Sequence, residues 1–392
     1  MNSARNSFNP PGVEPRGHPR RFAVSLLLAA LLVAACGSTA ATPTATATPK
    51  LDAAQTAQAA LDAISKTTVK MTRPTESYPI GNHKVSVIAT GLGTPGATDL
   101  AVFVQEAIVA AGWTAAPTGD GKFKPAIQSG LIQDAVNGGT EALILIAITP
   151  ANVASAIQLA SSKNIPIICV LCGPPDTYSQ FPGIVGVEPS PENVGKAQAN
   201  YVIAKSQAKA KVWVYVDNEF LFTAAQNKAA LAALAAGCPT CDVHQVEMKA
   251  GDEQKPGVPI LASVLAANPK GSIDYIIAPF DNAAANFSKA LEAQSRSEIG
   301  VLGYAALPVF FSQIAAGAPV SAQATVSIPI PYMGWSALDE TGRVLNKKAS
   351  WDATGLGVAI VTRTNYSSYD AKSPWVSPDF DFKAEFKKMW GK

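Results

Sequence analysis

The chain has 392 residues, of which 48% are hydrophobic and 15% are charged, and its formal net charge is +2. This composition is typical of a packed globular protein and excludes a disordered chain, while the near balance of charge argues against a nucleic-acid-binding surface. The length exceeds what a single hydrophobic core usually serves, so two lobes are expected.

The N-terminal segment has the pattern of an export signal. Arg16, Arg20 and Arg21 precede fourteen uncharged residues, Phe22 to Ala35. That run is too short to span a bilayer comfortably, but it matches the apolar core of a signal peptide. We therefore predict that residues 1–35 are removed on export, which leaves 27 basic and 28 acidic residues and a balance of −1.

The cysteine that follows this run is predicted to carry a lipid. Residues 33–37, VAACG, resemble the bacterial lipobox, in which a cysteine after small residues is acylated and becomes the mature N-terminus. Cys36 would then hold the protein on the extracytoplasmic face of the cell membrane through the lipid alone. The alternative is an ordinary secretory signal with an incidental cysteine. Residues 38–49, STAATPTATATP, lack any apolar period, so residues 36–52 are predicted to be a lipidated, flexible linker.

The body of the chain alternates apolar runs with amphipathic segments. From His83 onward, the predicted elements are strand 84–90, helix 99–112, helix 124–139, strand 142–148, helix 151–162 and strand 165–171. A second series comprises helix 191–207, strand 211–216, helix 222–236, strand 242–248, helix 258–268, strand 273–278, helix 282–293, strand 299–304 and helix 308–316. This alternation predicts parallel sheets covered by helices on both faces, and two such units can enclose a ligand between the carboxyl ends of their strands.

The order of these elements resembles that of a known family. The segments at 124–170, 273–293 and 303–345 are similar to the type I periplasmic binding proteins of sugar importers, close to the ribose-binding group. The resemblance implies an α/β fold of two doubly wound parallel-sheet lobes joined by a three-strand hinge. It places lobe 1 at 53–187 with 327–361 returning to it, lobe 2 at 188–326, and the last hinge strand with an aromatic tail at 362–392. It also implies a monomer that needs no cofactor, closes over a small molecule and presents it to an ABC permease.

The positions expected in the cleft depart from the polar pattern of that family. Apolar residues or an amide stand where the resemblance implies charged or amide side chains, namely Leu171, Gln226, Phe280, Ala305 and Ile328. A desolvated sugar needs partners for its hydroxyls, so the hypothesis is a less polar or aromatic ligand, with Phe280, Tyr304 and Tyr332 as stacking candidates.

The alternative is a sugar whose polar contacts lie elsewhere in the same cleft. Thr94, in the glycine-rich loop at 91–96, is a further candidate for ligand contact, and Asp281 could instead cap the helix that starts at Asn282. The acids and amides of this alternative are Asp176, Asp217, Asn218, Glu219, Asp281 and Asn282. The full set of ligand-binding candidates is Thr94, Leu171, Asp176, Asp217, Glu219, Gln226, Phe280, Asp281, Tyr304, Ile328 and Tyr332.

Four further cysteines form two Cys-x-x-Cys pairs. Cys238 and Cys241 lie in a predicted helix-to-strand turn, where export favours a disulfide. The pairing of Cys169 with Cys172 stays open, because an extended strand would separate residues three apart by about 10 Å. The two pairs are predicted at opposite edges of different lobes, so no metal site is expected.

No catalytic motif stands out in the sequence. A nucleophile elbow, a phosphate-binding loop and a dinucleotide-binding glycine pattern are all missing from the 392 residues. Binding without catalysis is therefore the predicted role, and two alternatives remain: a ligand sensor for a membrane receptor on the same fold, and an extracellular enzyme.

Overall fold

The computed structural model describes residues 52–114 and 116–392. The predicted signal peptide, the lipidated Cys36 and nearly all of the linker lie outside these residues. Within them, no helix has both the length and the apolar character needed to cross a membrane.

The observed elements follow the predicted alternation closely. The helices are α1 (Ala53–Ala63), α2 (Pro95–Ala110), α3 (Pro125–Asn137), α4 (Ala154–Ser162), α5 (Pro191–Lys205), α6 (Leu221–Gly237), α7 (Pro259–Ala267), α8 (Asp281–Ala293), α9 (Pro308–Ala316), α10 (Ile330–Leu345) and α11 (Phe382–Met389). The strands are β1 (Thr68–Val69), β2 (Val85–Ala89), β3 (Gly119–Asp120), β4 (Ala142–Ile146), β5 (Ile167–Val170), β6 (Ile184–Val187), β7 (Lys211–Asp217), β8 (Asp242–Met248), β9 (Tyr275–Ile277), β10 (Gly300–Ala305), β11 (Ala322–Ser327), β12 (Ala359–Thr362) and β13 (Ser377–Pro378). Several helices begin with proline, which costs no hydrogen bond at the first helical position.

The first sheet has the strand order β3-β2-β4-β5-β6, and all of its pairings are parallel. Strand β4 shows why both faces are covered, because all of its residues are buried. Leu143 and Leu145 pack into a core with α3 and α4, whereas Ile144 and Ile146 pack into the opposite core with α2 and α10. The continuous apolar run therefore supplies two cores at once.

The second sheet has the order β12-β11-β10-β9-β7-β8 and is parallel except for the antiparallel pair of β11 and β12. Strand β7 divides its side chains in the same way as β4. Val212 and Val214 face the core shared with α5 and α6, and Trp213 and Tyr215 face α7 and α8. Two doubly wound sheets thus form the body of the molecule, which is the predicted fold class.

Two segments, one near each end of the folded body, join a different lobe from the one expected. Strand β12 pairs with β11, so residues 359–361 join the second sheet rather than returning to the first lobe. Helix α1 packs on α5 and α6, so residues 53–63 lie on the second lobe and not on the first, where the sequence placed them. The reason is that α1 buries Ala54, Ala57 and Leu61 against another helix, a contact that no local pattern specifies.

The aromatic tail packs back onto the first lobe. Helix α11 contacts α10, and the ring of Trp390 stacks on that of Trp335 with centroids 5.4 Å apart and planes 8° from parallel. A short parallel pairing of β1 with β13 brings residues 68–69 beside residues 377–378, just before this tail helix.

Both Cys-x-x-Cys pairs form disulfides in the structure. The Cα atoms are 5.6 Å apart for Cys169 and Cys172 and 5.3 Å apart for Cys238 and Cys241. The extended spacing that made the first pair doubtful does not occur, because β5 ends at Val170 and Leu171 turns the chain with a φ of 55°.

Candidate ligand-binding cleft

A cavity of about 120 Å³ lies where the carboxyl ends of the two sheets face each other. The loops after β2, β4 and β5 supply its first wall, and the loops after β7, β8, β9 and β10 supply the opposite wall. The residues whose side chains or backbone define it include Thr90, Thr94, Phe123, Ala147, Leu171, Phe220, Phe222, Ala250, Glu253, Phe280, Asn282, Tyr304, Ala305, Leu307 and Ile328. This is the position in which parallel α/β sheets bind ligands.

Three strand ends at this cavity carry non-glycine residues in the left-handed region. Ala147 follows β4 with a φ of 53°, Leu171 follows β5 with a φ of 55°, and Ala305 ends β10 with a φ of 99°. Such conformations cost free energy for residues with a Cβ, and they tend to cluster where a ligand is held. Part of the backbone strain of the molecule therefore lies on the cavity wall.

Aromatic rings reach the cavity from both lobes. Phe123 comes from the first lobe in a left-handed conformation, with a φ of 55°. Its ring lies so close over Gly91 that a Cβ there would come within 2.6 Å of it, so the loop needs glycine at that position. On the second lobe, Phe222 stacks with Tyr304 at a centroid distance of 5.6 Å. An inserted flat ligand would contact aromatic surfaces on both sides.

Glu253 is the one charged side chain among the described residues that line this cavity. It is 1% exposed, and its two oxygens accept hydrogen bonds from Gly251 N (2.9 Å) and from Gln254 Nε2 (3.2 Å). Each carboxylate oxygen has a second lone pair, so these bonds leave acceptor capacity. The inner cavity thus combines an apolar wall with a single acidic group.

The mouth of the cleft is more polar than its interior. An adjoining cavity of about 480 Å³ shares Phe123 and Phe220 with the inner one and is lined by polar side chains, including Gln128, Thr149, Asn152, Asn218 and Glu219. The hydroxyl of Thr149 donates to the backbone oxygen of Glu219 across the lobes at 3.4 Å. A ligand would pass this polar rim before reaching the aromatic interior.

The structure brings together five of the predicted ligand-binding residues. Thr94, Leu171, Phe280, Tyr304 and Ile328 all line the inner cavity, and Glu219 lies at the mouth. The remaining candidates lie elsewhere, and each has a structural contact that explains its position.

Asp281 is a buried residue whose hydrogen bonds link neighbouring elements, and it neither lines the cavity nor caps a helix. It is the first residue of α8, and its carboxylate accepts hydrogen bonds from Leu307 N and from Thr325 Oγ1, both at 2.7 Å. These bonds tie α8 to β11 and to the loop after β10. Burial raises the pKa of Asp281 well above its ordinary value. The two predicted roles for this residue are therefore wrong.

Asp217 and Gln226 lie inside the second lobe, behind the cleft wall. The carboxylate of Asp217 accepts a bond from Glu219 N at 2.8 Å, and burial raises its pKa to about 7. Gln226 donates to Gln198 Oε1 at 3.0 Å, and Gln198 in turn donates to the backbone oxygen of Gly303 at 3.1 Å. These groups support the strand ends rather than a ligand.

Tyr332 and Asp176 also differ from their predicted positions. The hydroxyl of Tyr332 donates to Thr72 O at 2.5 Å, and its ring packs against Phe382 and Phe386 of the tail. Asp176 is exposed in a short 3₁₀ turn that does not line the cavity.

Sequence reasoning missed Phe123, Phe222 and Glu253. Phe123 lies in a loop after β3, Phe222 in the first turn of α6 and Glu253 in a short 3₁₀ turn after β8, and the hydrophobic pattern does not reveal the direction of any of these segments. The pair of phenylalanines at 220 and 222 directly after β7 was an available signal. No signal pointed to Glu253, because its burial depends on α8 packing over the short helical turn that carries it.

Comparisons with known proteins agree with this architecture. A family model described as a periplasmic binding protein domain matches residues 85–349, well over half of the chain. No curated protein matches the sequence.

Solved structures share the fold at low sequence identity. An ABC transporter solute-binding protein from Mycobacterium smegmatis with bound glycerol is 18% identical, with a TM-score of 0.66 over 76% of this chain and 100% of that one. The Caulobacter myo-inositol binding protein bound to myo-inositol is 20% identical, with a TM-score of 0.65 over 75% and 98%. A periplasmic solute-binding protein of an ABC transporter from Actinobacillus succinogenes with bound D-allose is 18% identical, with a TM-score of 0.64 over 73% and 100%.

The family match, the two doubly wound sheets and the cavity between them lead to one conclusion and confirm the predicted fold class. This chain belongs to the type I periplasmic binding protein family.

Proposed function

We propose that this protein is an exported, lipid-anchored solute-binding protein that captures a small molecule between its lobes and delivers it to an ABC importer. The observation that carries the proposal is the cavity at the facing strand ends, which both lobes line with left-handed residues and aromatic rings. The glycerol, myo-inositol and D-allose bound by similar proteins support a sugar or sugar-like ligand, whereas the apolar lining supports a less polar one.

A thermal-shift screen of sugars, aromatic compounds, nucleosides and amino acids tests the capture step. A ligand that binds only the native state raises the melting temperature, and the stabilisation grows with the logarithm of its concentration relative to Kd. The bound compound should be recovered chemically unchanged, and mass spectrometry of the released ligand checks this. Turnover of the compound would favour an enzyme instead.

The lipid anchor has a separate test. The Cys36→Ser variant should move from the membrane fraction to the soluble fraction, because it has no thiol to acylate. Retention of the variant on membranes would contradict the lipobox interpretation.

Delivery is tested by uptake of the identified ligand in the native cells with and without this gene. Loss of uptake supports transport. Unchanged uptake together with loss of a transcriptional response to the ligand would favour the sensor role, for which the same cleft would serve.

A further inference from the structure

The inner cavity has the walls for a single aromatic ring. Its volume is about 120 Å³, somewhat below the roughly 150 Å³ of an apolar cavity that holds benzene, and it adjoins a further cavity of about 480 Å³ that can take the rest of a ligand. Phe123 faces it from the first lobe, and the stacked Phe222 and Tyr304 face it from the second. A flat ring between these surfaces gains apolar burial and aromatic contacts.

The same walls offer little to a ring that carries many hydroxyl groups. Two of the threonines are already engaged: Thr90 Oγ1 accepts from Gln128 Nε2 at 3.1 Å, and Thr223 Oγ1 donates to Phe220 O at 2.9 Å. Every hydroxyl of a bound polyol that lost water without gaining a partner would cost free energy.

The charge at the cavity selects against an anion. No lysine or arginine lines it among the residues that the structure describes, and its one charged side chain is the buried Glu253. Burial raises the pKa of Asp217 to about 7, and Asp252 is paired with Lys255 at 2.6 Å, so the negative potential at the cavity comes mainly from Glu253. A ligand ammonium would offset this potential, whereas a carboxylate would add to it.

We propose that the ligand is a small aromatic amine whose ring lies between Phe123 and the Phe222–Tyr304 pair and whose ammonium donates to Glu253. This inference rests on the proposed binding function and names its ligand class. The polar mouth, with Asn218 and Glu219, has no basic side chain among its described lining residues that would repel such a cation.

Three matched probes test the class. Tyramine, tyrosol and para-hydroxyphenylacetate share a phenol ring and a short arm and differ in whether the arm ends in a cation, a neutral hydroxyl or an anion. Calorimetry on the full chain in detergent should show the tightest binding for tyramine and none for the acid. Equal binding of the three compounds, or binding of the acid alone, would overturn the inference.

Two variants locate the interaction. Glu253→Gln should weaken tyramine binding about 10- to 100-fold, the usual loss for a buried hydrogen bond to a charged group, and should leave tyrosol binding nearly unchanged. The matched control is Glu247→Gln, an exposed carboxylate on β8 of the same lobe, which should leave tyramine binding unchanged.

Phe123→Ala provides a test that does not depend on the folding of the Glu253 variant. Phe123 is 37% exposed, so removal of its ring should not unfold the protein. The substitution should nevertheless weaken the binding of both tyramine and tyrosol. Full tyramine affinity in this variant would overturn the proposed pose.

D-allose and myo-inositol complete the panel and separate this inference from the function on which it rests. Binding of either one without any binding of tyramine would overturn the aromatic-amine assignment and leave solute binding intact. Turnover of the bound compound, or uptake that does not require the gene, would count against the proposed function alone.

Discussion

Asp339 is the most connected acidic residue in the first lobe. It is fully buried on α10, and its carboxylate accepts hydrogen bonds from Arg343 Nε, Trp390 Nε1, Trp351 Nε1 and the Tyr78 hydroxyl, at 2.7 to 3.1 Å. These donors come from α10, the tail and two distant loops. A single side chain therefore joins segments that are far apart in the sequence.

Replacing this carboxylate should be strongly destabilising. Asp339→Ala leaves Arg343, which is 2% exposed, as a buried charge without its partner, and we expect a loss of about 3–5 kcal/mol in the free energy of unfolding. Urea denaturation measures it. The exposed Asp134→Ala on α3 serves as control and should change stability by less than about 0.5 kcal/mol. Equal effects of the two substitutions would contradict the role assigned to Asp339.

Glu188 links stability to pH at the first crossing between the lobes. Burial raises its pKa from 4.5 to about 8, against a lowering by the hydrogen bond from the Gly173 backbone. The folded state binds the proton of Glu188 more tightly than the unfolded state does. The stabilisation from this group is therefore complete below about pH 4.5 and is lost as the pH rises through about 8. The protein should therefore lose stability between these two values.

The variant Glu188→Gln should remove the pH dependence of stability that comes from Glu188. An amide resembles the protonated acid and still accepts a hydrogen bond from the Gly173 backbone. Its melting temperature should exceed that of the wild type at pH 9 and match it near pH 4. Glu292→Gln, an exposed carboxylate on α8 that does not act on Glu188, should leave the pH profile as in the wild type. A parallel profile for Glu188→Gln and the wild type across this range would refute the assignment.

The sequence located some site residues and misplaced others for a physical reason. Leu171, Phe280 and Tyr304 lie at strand ends, and strand ends face the cleft in this fold. Asp281 also lies at a strand end, but its carboxylate turns inward to Leu307 and Thr325. Which way a strand-end side chain points depends on partners many residues away, and a single sequence does not display them.

At the scale of elements, the pair of helices α5 and α6 depends on one glycine. A Cβ on Gly195 would come within 2.2 Å of Gln226 O and 2.7 Å of Ala230 N, both on the facing backbone. Backbone atoms cannot rotate away as side chains do. The close approach of these helices therefore requires the glycine.

Two glycine-to-alanine substitutions in helices should have opposite signs. Gly195→Ala must push α5 away from α6 and should cost about 1–3 kcal/mol or more. Gly130→Ala lies within α3, where an added Cβ meets nothing within 4 Å, and should stabilise by about 0.5–1 kcal/mol. Thermal unfolding of both variants measures the difference. Destabilisation of both, or of neither, would contradict the packing described.

The elements that sequence reasoning misplaced are those whose position rests on distant contacts. The helices and strands predicted between residues 84 and 316 match the observed ones to within a few residues, whereas neither α1 nor α10 was predicted as a helix. Helix α1 was assigned to the wrong lobe and β12 to the wrong sheet, because their own residues specify a helix and a strand but not the partner. Strand β3, with two residues, is too short to show a pattern.

At the scale of the whole molecule, the two lobes touch across the cleft. A Cβ on Gly173 of the first lobe would lie 2.4 Å from Leu221 Cβ at the start of α6, and one on Gly96 would lie 3.7 Å from Leu307. These close approaches and the hydrogen bond from Thr149 to Glu219 show where the two lobes come together at the cleft.

Gly173→Ala should open the lobes. The new methyl group overlaps Leu221, so the radius of gyration from small-angle scattering should increase in the absence of ligand. Gly183→Ala is a matched control, because it also has a positive φ, 90°, but meets nothing within 4 Å. Both variants should lose roughly 1–2 kcal/mol from backbone strain, and Gly173→Ala alone should expand. An unchanged radius would show that the lobe contact does not depend on this position.

The sequence by itself determined the alternation of strands and helices and the two sheets, because hydrophobic periodicity is local and repeats along the chain, and the resemblance of three of its segments to known proteins indicated the family. Only the tertiary structure decided the lobe that α1 joins, the inward turn of Asp281, and the meeting of Phe123 with Phe222 and Glu253. Those features arise where segments distant in the chain compete for the same space and the same hydrogen bonds. Local periodicity carries no information about such long-range contacts. The walls and the charge of the cavity are therefore defined only once the lobes are assembled.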